Sequence, residues 1–331
     1  MKLRSSVSIF ALVLAAAIVS PASAIAATKV CIAYDTGGLG DRSFNDAALA
    51  GIKKAQTQFN FSVEGVVTDG TATDRVKRLH SLAGKSCAVI IAVGADYKKA
   101  VDQIALEFPT TQFAIIGDAS ITSFNVTSVV FADVQGAFLA GFSAALTSKS
   151  GKVGMITTPS SADIYQNGFL AGVTASKKKV RSFVNYTASD LDVSTNALMK
   201  LGVDVIYTAT SGSADDAFDA IVKANTAKNR KKTASDVYLI LTEPDLYLTL
   251  TSNTSKYLIA SVVKRVDSAV SDVISAAIND RPMFDELDAE LGVYGHRYTI
   301  SDKGIEIVLK SKALGTQAAA INAAAIAEYA R

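Results

Sequence analysis

Between Tyr34 and Asn45 the chain reads Tyr34-Asp35-Thr36-Gly37-Gly38-Leu39-Gly40-Asp41-Arg42-Ser43-Phe44-Asn45, a glycine-rich turn that runs into the start of a helix. Such a turn lets backbone approach a ligand closely and can cradle a phosphate at the helix N-terminus. Two features count against phosphate. The dinucleotide pattern G-x-G-x-x-G needs Gly or Ala where Ser43 stands, and Asp35 and Asp41 flank the turn with negative charge. An uncharged ligand finds better chemistry here. Phe44 is an apolar plane on which a heterocycle can stack, and Asn45 carries both a donor and an acceptor. Each has a structural alternative: Phe44 shares a helix face with Ala48 and Ile52, and an Asn in a first helical turn can bond backbone. Ser43 and Asp46 are spaced as a capping box, which places the helix start between them.

Catalytic and metal chemistry have few candidates. His80 and His296 are the two histidines, and neither lies beside a Cys or in an H-x-x-x-H spacing, so no zinc site, no other metal and no cofactor are expected. With no visible nucleophile–base pair, the chain is read as a binding protein and not as an enzyme. The 33 basic and 31 acidic residues give a net charge of +2, and Lys2 and Arg4 are the only charges among the first 24 residues. The remainder is neutral, which excludes the basic field that nucleic acid or an anionic membrane surface would need.

These residues must be positioned by elements that the hydrophobic pattern marks out. Short apolar, β-branched runs at 29–35, 62–68, 87–94, 112–117 and 126–132 alternate with helical patterns, and the series restarts at 152–157, 180–185, 204–209, 237–242 and 257–262. Strands buried on both faces and joined by helices imply an α/β protein with two doubly wound parallel-sheet lobes, whose ligands sit at the strand C-terminal ends. The runs at 291–294, 296–300 and 305–310 read as late strands decorating a lobe, and 313–331 as an Ala-rich closing helix. The expected lobes are 28–132 with 263–290, and 133–262 with 291–331. Cys31 falls in the first expected strand and Cys87 begins the third, neighbours in such a sheet. One disulfide and a pair of buried thiols are both open.

Lys2 and Arg4 precede an apolar run from Ile9 to Val19 and then Ser20-Pro21-Ala22-Ser23-Ala24, the pattern of a signal peptide cleaved after Ala24 or Ala26. The expected mature chain is exported to the periplasm or the extracellular face of the membrane. Thr28-Lys29-Val30 ahead of Cys31 is not a lipobox, so a soluble protein without a lipid anchor is expected.

The strand followed by Asp-x-Gly-x-x-x-Asp-x-Ser-Phe-Asn resembles the signature of the basic membrane protein family of substrate-binding proteins, whose members resemble purine nucleoside receptors. Further matches follow in order: Phe108-Pro109 with 113–118, 135–141, 168–173 and 261–267. The resemblance implies a type I periplasmic-binding-protein fold with a hinge, a purine nucleoside as ligand, and an ABC permease and ATPase as partners for a monomer. It raises stacking above core packing for Phe44, and edge recognition above backbone bonding for Asn45. Asp35 and Asp118, ending the first and fourth strands, become acceptors for the ligand, although Asp118 also suits a helix N-cap. Glu243 stands where relatives have the Asp that accepts from ribose hydroxyls. Lys264 would donate to the same hydroxyls or pair with Glu243 or Asp35; alternatively it is a surface lysine. The glycine-rich turn of the second lobe is altered to Thr210-Ser211-Gly212-Ser213, which puts Ser211 and Gly212 beside the ligand. Tyr165 and Tyr207 are the candidates for a second aromatic. A sugar or other neutral polar ligand would use the same groups, a nucleoside-processing enzyme would need more, and a sensor ectodomain would leave no mark of its own.

Overall fold

The computed structural model describes residues 28–329 apart from positions 42, 188, 211–213, 232–234, 243–254, 282 and 284. Two sheets organise the chain. The first collects β1 (Lys29–Tyr34), β2 (Ser62–Val67), β3 (Val89–Val93), β4 (Phe113–Ile116), β5 (Val126–Phe131), β11 (Asp285–Asp288) and β12 (Val293–Tyr298) in the order β11-β12-β5-β4-β3-β1-β2. The second collects β6 (Lys152–Thr157), β7 (Arg181–Tyr186), β8 (Val205–Ala209), β9 (Tyr238–Thr242), β10 (Leu258–Lys264) and β13 (Ile305–Leu309) in the order β13-β10-β9-β8-β6-β7. All pairings are parallel except β11 with β12 and β10 with β13.

Strands such as β3 (Val-Ile-Ile-Ala-Val) and β8 are buried along their whole length because helices cover both faces of each sheet. On the first sheet, α1 (Phe44–Gln56) and the late helix α8 (Val266–Ile278) pack together on one face, and α2 (Ala72–Ala83) with α3 (Lys98–Glu107) on the other. On the second, α4 (Asp133–Thr147) and α5 (Ala162–Ala175) cover one face, and α6 (Leu191–Lys200) with α7 (Asp215–Lys231) the other. The C-terminal α9 (Lys312–Gly315) and α10 (Ala318–Tyr329) lie against α4. This is the expected architecture of two doubly wound parallel-sheet lobes, with antiparallel edge strands added. Among the described residues no helix is long and apolar enough to cross a membrane.

Three details depart from the sequence reading. First, the runs at 291–294 and 296–300 are one strand, β12, and it does not belong with 133–262. It pairs in parallel with β5, from Gly295 opposite Ser128 to Tyr298 opposite Phe131, so the expected grouping 291–331 is split between the sheets. The rings of Tyr298 and Phe131 stack at 5.5 Å, and the Tyr298 hydroxyl donates to Asp272 of α8 at 2.9 Å, which ties β12 to the first lobe. Only β13 continues into the second sheet. Second, β11 was not expected at all. Third, Ser43 makes no side-chain cap on α1. Asp41 takes that role, accepting from the amides of Ser43, Asn45 and Asp46 at 2.8, 3.1 and 3.1 Å, while Asp46 reaches back to the Gly40 amide at 2.7 Å. A carboxylate outcompetes a hydroxyl for these donors because the acceptor is charged and the helix start is electropositive.

The chain crosses between sheets at 131–133, 264–266 and 298–305, and these crossings are bonded to one another. Ala132 N donates to Tyr298 O at 2.8 Å, Arg265 N to Gly304 O at 2.9 Å, and Ile300 N to Gln135 Oε1 at 2.8 Å. Cys31 and Cys87 form a disulfide with Cα atoms 5.8 Å apart, joining β1 to the turn that leads into its neighbour β3.

Candidate functional site

The C-terminal ends of β4, β3 and β1 lie side by side and present Gly117-Asp118, Gly94 and Asp35 at one edge of the first sheet. The parallel register enforces that alignment, and a doubly wound sheet binds ligands at this edge. Asp35 Oδ1 accepts from its neighbour Thr36 N at 2.8 Å and from Arg75 Nη2 at 2.7 Å. Its Oδ2 leans over Gly94, where φ is +108° and a Cβ would fall 2.7 Å from that oxygen. Gly94 is therefore required twice, for its left-handed backbone and for the space the carboxylate occupies.

Phe44, at the first position of α1, is half-buried: its ring packs on the core that α1 shares with the sheet. A Cβ at Gly117 would lie 4.0 Å from its edge, so the ring stands at the end of β4. Packing and an accessible position coexist in one side chain. Asp118 follows directly and turns Oδ1 back onto Ser120, accepting from its amide at 2.9 Å and its hydroxyl at 2.6 Å. Asn45 is 1 % exposed and spends its amide on the loop. Oδ1 accepts from Asp35 N at 3.0 Å, and Nδ2 donates to the carbonyls of Asp35 and Thr36 at 3.2 and 3.4 Å. This is the structural alternative for Asn45; as placed, it holds Asp35 and the glycine turn in shape.

The second sheet contributes Lys264 from the end of β10. Its Nζ stands 2.8 Å from Asp133 Oδ1, donates to the Tyr165 hydroxyl at 3.4 Å, and lies 5.5 Å from the centre of the Phe44 ring. Phe44 and Lys264, from different sheets, thus come together, and Asp133 and Tyr165 join them. Asp133 escaped the sequence reading; its place at the first turn of α4, directly after a strand end, was the available signal. Lys264 is not a free surface lysine: it is ion-paired and its side chain is only 14 % exposed. Of the two tyrosine candidates, Tyr165 is half-buried at this junction. Tyr207 is fully buried, stacked on Phe169 at 5.8 Å and hydrogen-bonded to the Thr242 hydroxyl, and burial pushes its phenol well above the usual range. Ser211, Gly212 and Glu243 lie outside the described residues.

A groove of about 430 Å³ between α2 and α3 is lined in part by Arg75, Asp96 and Lys99 but includes none of Phe44, Asp118 or Lys264. His80 sits on α2 near Glu107, and His296 on β12 is flanked by Asp285 and Asp302. Among the described residues no group of His, Cys, Asp and Glu could hold a metal ion.

Residues 28–322 match the family model described as ABC transporter substrate-binding protein PnrA-like. The CD4+ T-cell-stimulating antigen of Listeria monocytogenes is 31 % identical over 270 residues, covering 75 % of this chain and 73 % of that protein. The ABC transporter nucleoside-binding protein BmpA of Lactococcus lactis is 26 % identical over 260 residues, covering 74 % and 73 %. In fold, the chain is similar to an ABC transporter solute-binding protein from Aeropyrum pernix, with a TM-score of 0.66 at 18 % identity over 91 % of this chain and 85 % of that one. That fold is the type I binding-protein architecture, and the matching family is one of substrate-binding proteins, which are not enzymes. The family model covers nearly the whole described chain, and the protein belongs to the PnrA-like, or Bmp, family of ABC transporter substrate-binding proteins.

Proposed function

We propose that the protein captures a purine nucleoside between its lobes and delivers it to an ABC importer as an exported, monomeric receptor. The observation that carries this reading is the meeting of Phe44 from the first lobe with Lys264, Asp133 and Tyr165 from the second. An aromatic plane at a strand end suits a base, and acceptors and a cation suit base N–H groups and ribose hydroxyls. In this reading the base stacks on Phe44, Asp118 accepts from its edge, and Asp35 and Lys264 hold the ribose. Asn45 keeps the first-lobe loop in register, and Ser211, Gly212 and Glu243 complete the second-lobe side. A ligand that bonds both lobes selects the closed arrangement, since only there are both sets of contacts made. The name of the Lactococcus relative, a nucleoside-binding protein, supports a nucleoside as the ligand.

Calorimetric titration of the purified protein with adenosine, guanosine, inosine, cytidine, uridine, ribose, arabinose and glucose tests this. Binding confined to purine nucleosides is expected. Phe44→Leu keeps apolar packing but removes the π face, so it should leave melting of the empty protein near wild type and weaken binding on the order of ten- to a hundredfold. Binding of sugars alone would replace the nucleoside with a sugar ligand.

A further inference from the structure

Arg75, on α2, is absent from every motif in the sequence, yet its guanidinium is held by hydrogen bonds to three separate residues beside the strand ends of the first sheet. Nη2 donates to Asp35 Oδ1 at 2.7 Å and approaches Asp96 Oδ2 at 3.4 Å, and Nη1 donates to Gly70 O at 2.6 Å beyond β2. Its side chain is only 9 % exposed, and the guanidinium carbon lies 5.5 Å from the centre of the Tyr97 ring. Tyr97 is itself fully buried and fixed, donating to Tyr34 O at 3.0 Å, one residue before Asp35. Arg75, Tyr97 and the end of β1 thus form one rigid unit.

The consequence falls on the two oxygens of Asp35. Oδ1 is taken by Arg75 and the Thr36 amide, so the carboxylate cannot rotate without breaking both bonds. Oδ2 is held over Gly94, on the side of β3 and β4 where Gly117 and Phe44 stand. We infer that Arg75 is a positioning residue for ligand capture: it locks one Asp35 oxygen and offsets its charge, leaving the other aimed across the strand ends as a neutral ligand's acceptor. This rests on the proposed role of Asp35 in the nucleoside site. The guanidinium is needed in particular because its planar fork bonds two separate acceptors while lying against an aromatic ring, which an ammonium cannot do.

A double-mutant cycle in nucleoside affinity tests it, with the purine nucleoside that binds best as probe and Arg75→Met, Arg75→Lys, Asp35→Asn and Asp35→Asn/Arg75→Met as variants. Thermal melting first establishes that each variant is folded at the titration temperature. Arg75→Met should weaken binding at least tenfold, and Arg75→Lys should recover part of that loss. In the Asp35→Asn background Arg75→Met should add little, because the oriented oxygen is already gone. A merely structural arginine would give losses that multiply in the double variant, and that result, or an Arg75→Met variant with wild-type affinity, overturns the inference while leaving the nucleoside reading intact. If no nucleoside binds the wild-type protein, the nucleoside reading itself fails and the inference with it.

Discussion

Lys264 Nζ lies 2.8 Å from Asp133 Oδ1 and 5.5 Å from the centre of the Phe44 ring, so a cation from one lobe stands on the aromatic of the other. The two residues are far apart in sequence and on different sheets. Their contact joins the proposed stacking surface to the proposed hydroxyl clamp.

Replacing Lys264 should separate binding from stability. Lys264→Met removes a charge-assisted donor and should weaken nucleoside binding about tenfold or more, from a bond of roughly 1.5–3 kcal/mol. It also leaves the partly buried Asp133 without this cation, so the melting temperature should fall. Adding Asp133→Asn should recover the melting temperature while affinity stays low; calorimetry and thermal melts on the same variants read both effects.

Three glycines in the family-like runs at 135–141 and 168–173 have a packing role. A Cβ at Gly141 would collide with the Phe169 carbonyl, one at Gly168 with the Val134 carbonyl, and one at Gly172 with the Phe138 carbonyl, so α4 and α5 touch backbone to backbone. On an exposed helix Gly→Ala is stabilising by about 1 kcal/mol. Here the sign should reverse: Gly141→Ala should cost about 1–3 kcal/mol through overpacking, measured by denaturant unfolding.

The Cys31–Cys87 bridge closes a loop spanning a sequence separation of 56 residues. Constraining the unfolded chain by such a loop is worth up to about 4 kcal/mol in the chain-entropy account. The paired Cys31→Ala/Cys87→Ala variant should therefore unfold at distinctly lower denaturant, and reductant should shift the wild-type protein but not the variant.

At the crossing after β10, Arg265 donates to Asp267 at 2.8 and 2.7 Å and also pairs with Glu306 of β13. Burial alone would raise the Asp267 carboxyl, but hydrogen bonding to Arg265, the charge of Arg265 and Lys54, and the Ser268 amide together hold it below its usual range. A carboxyl depressed in the folded state adds stability that is full above its unfolded value of about 3.9 and is lost as pH falls through the folded value. Stability of the wild-type protein should therefore drop more steeply below about pH 4 than that of Asp267→Asn, as urea midpoints across pH 3–6 will read.

The residues alone determined local order and, through it, much of the candidate site. Runs such as Val89–Val93 can be buried on both faces only in a helix-covered parallel sheet. Once β1 and β4 are parallel, Asp35 and Asp118 must share one edge, so their neighbourhood follows from local pattern. The glycine turn ahead of Phe44 likewise marked the start of α1 within a residue. What tertiary structure decided are the matters that depend on partners distant in the chain. The 293–298 segment joined the first sheet because β5 offered it a free parallel edge and Phe131 a ring to stack on, neither of which leaves a local trace. Asn45 turned inward because the Asp35 backbone came within reach of both ends of its amide. Tyr165 and Tyr207 are the same residue type, and packing against Phe169 removed Tyr207 to the core. Arg75 carries no sequence signal, since an arginine on a helix is by default solvated. Only the approach of Asp35, Gly70 and Tyr97 from separate elements gives its guanidinium a fixed direction.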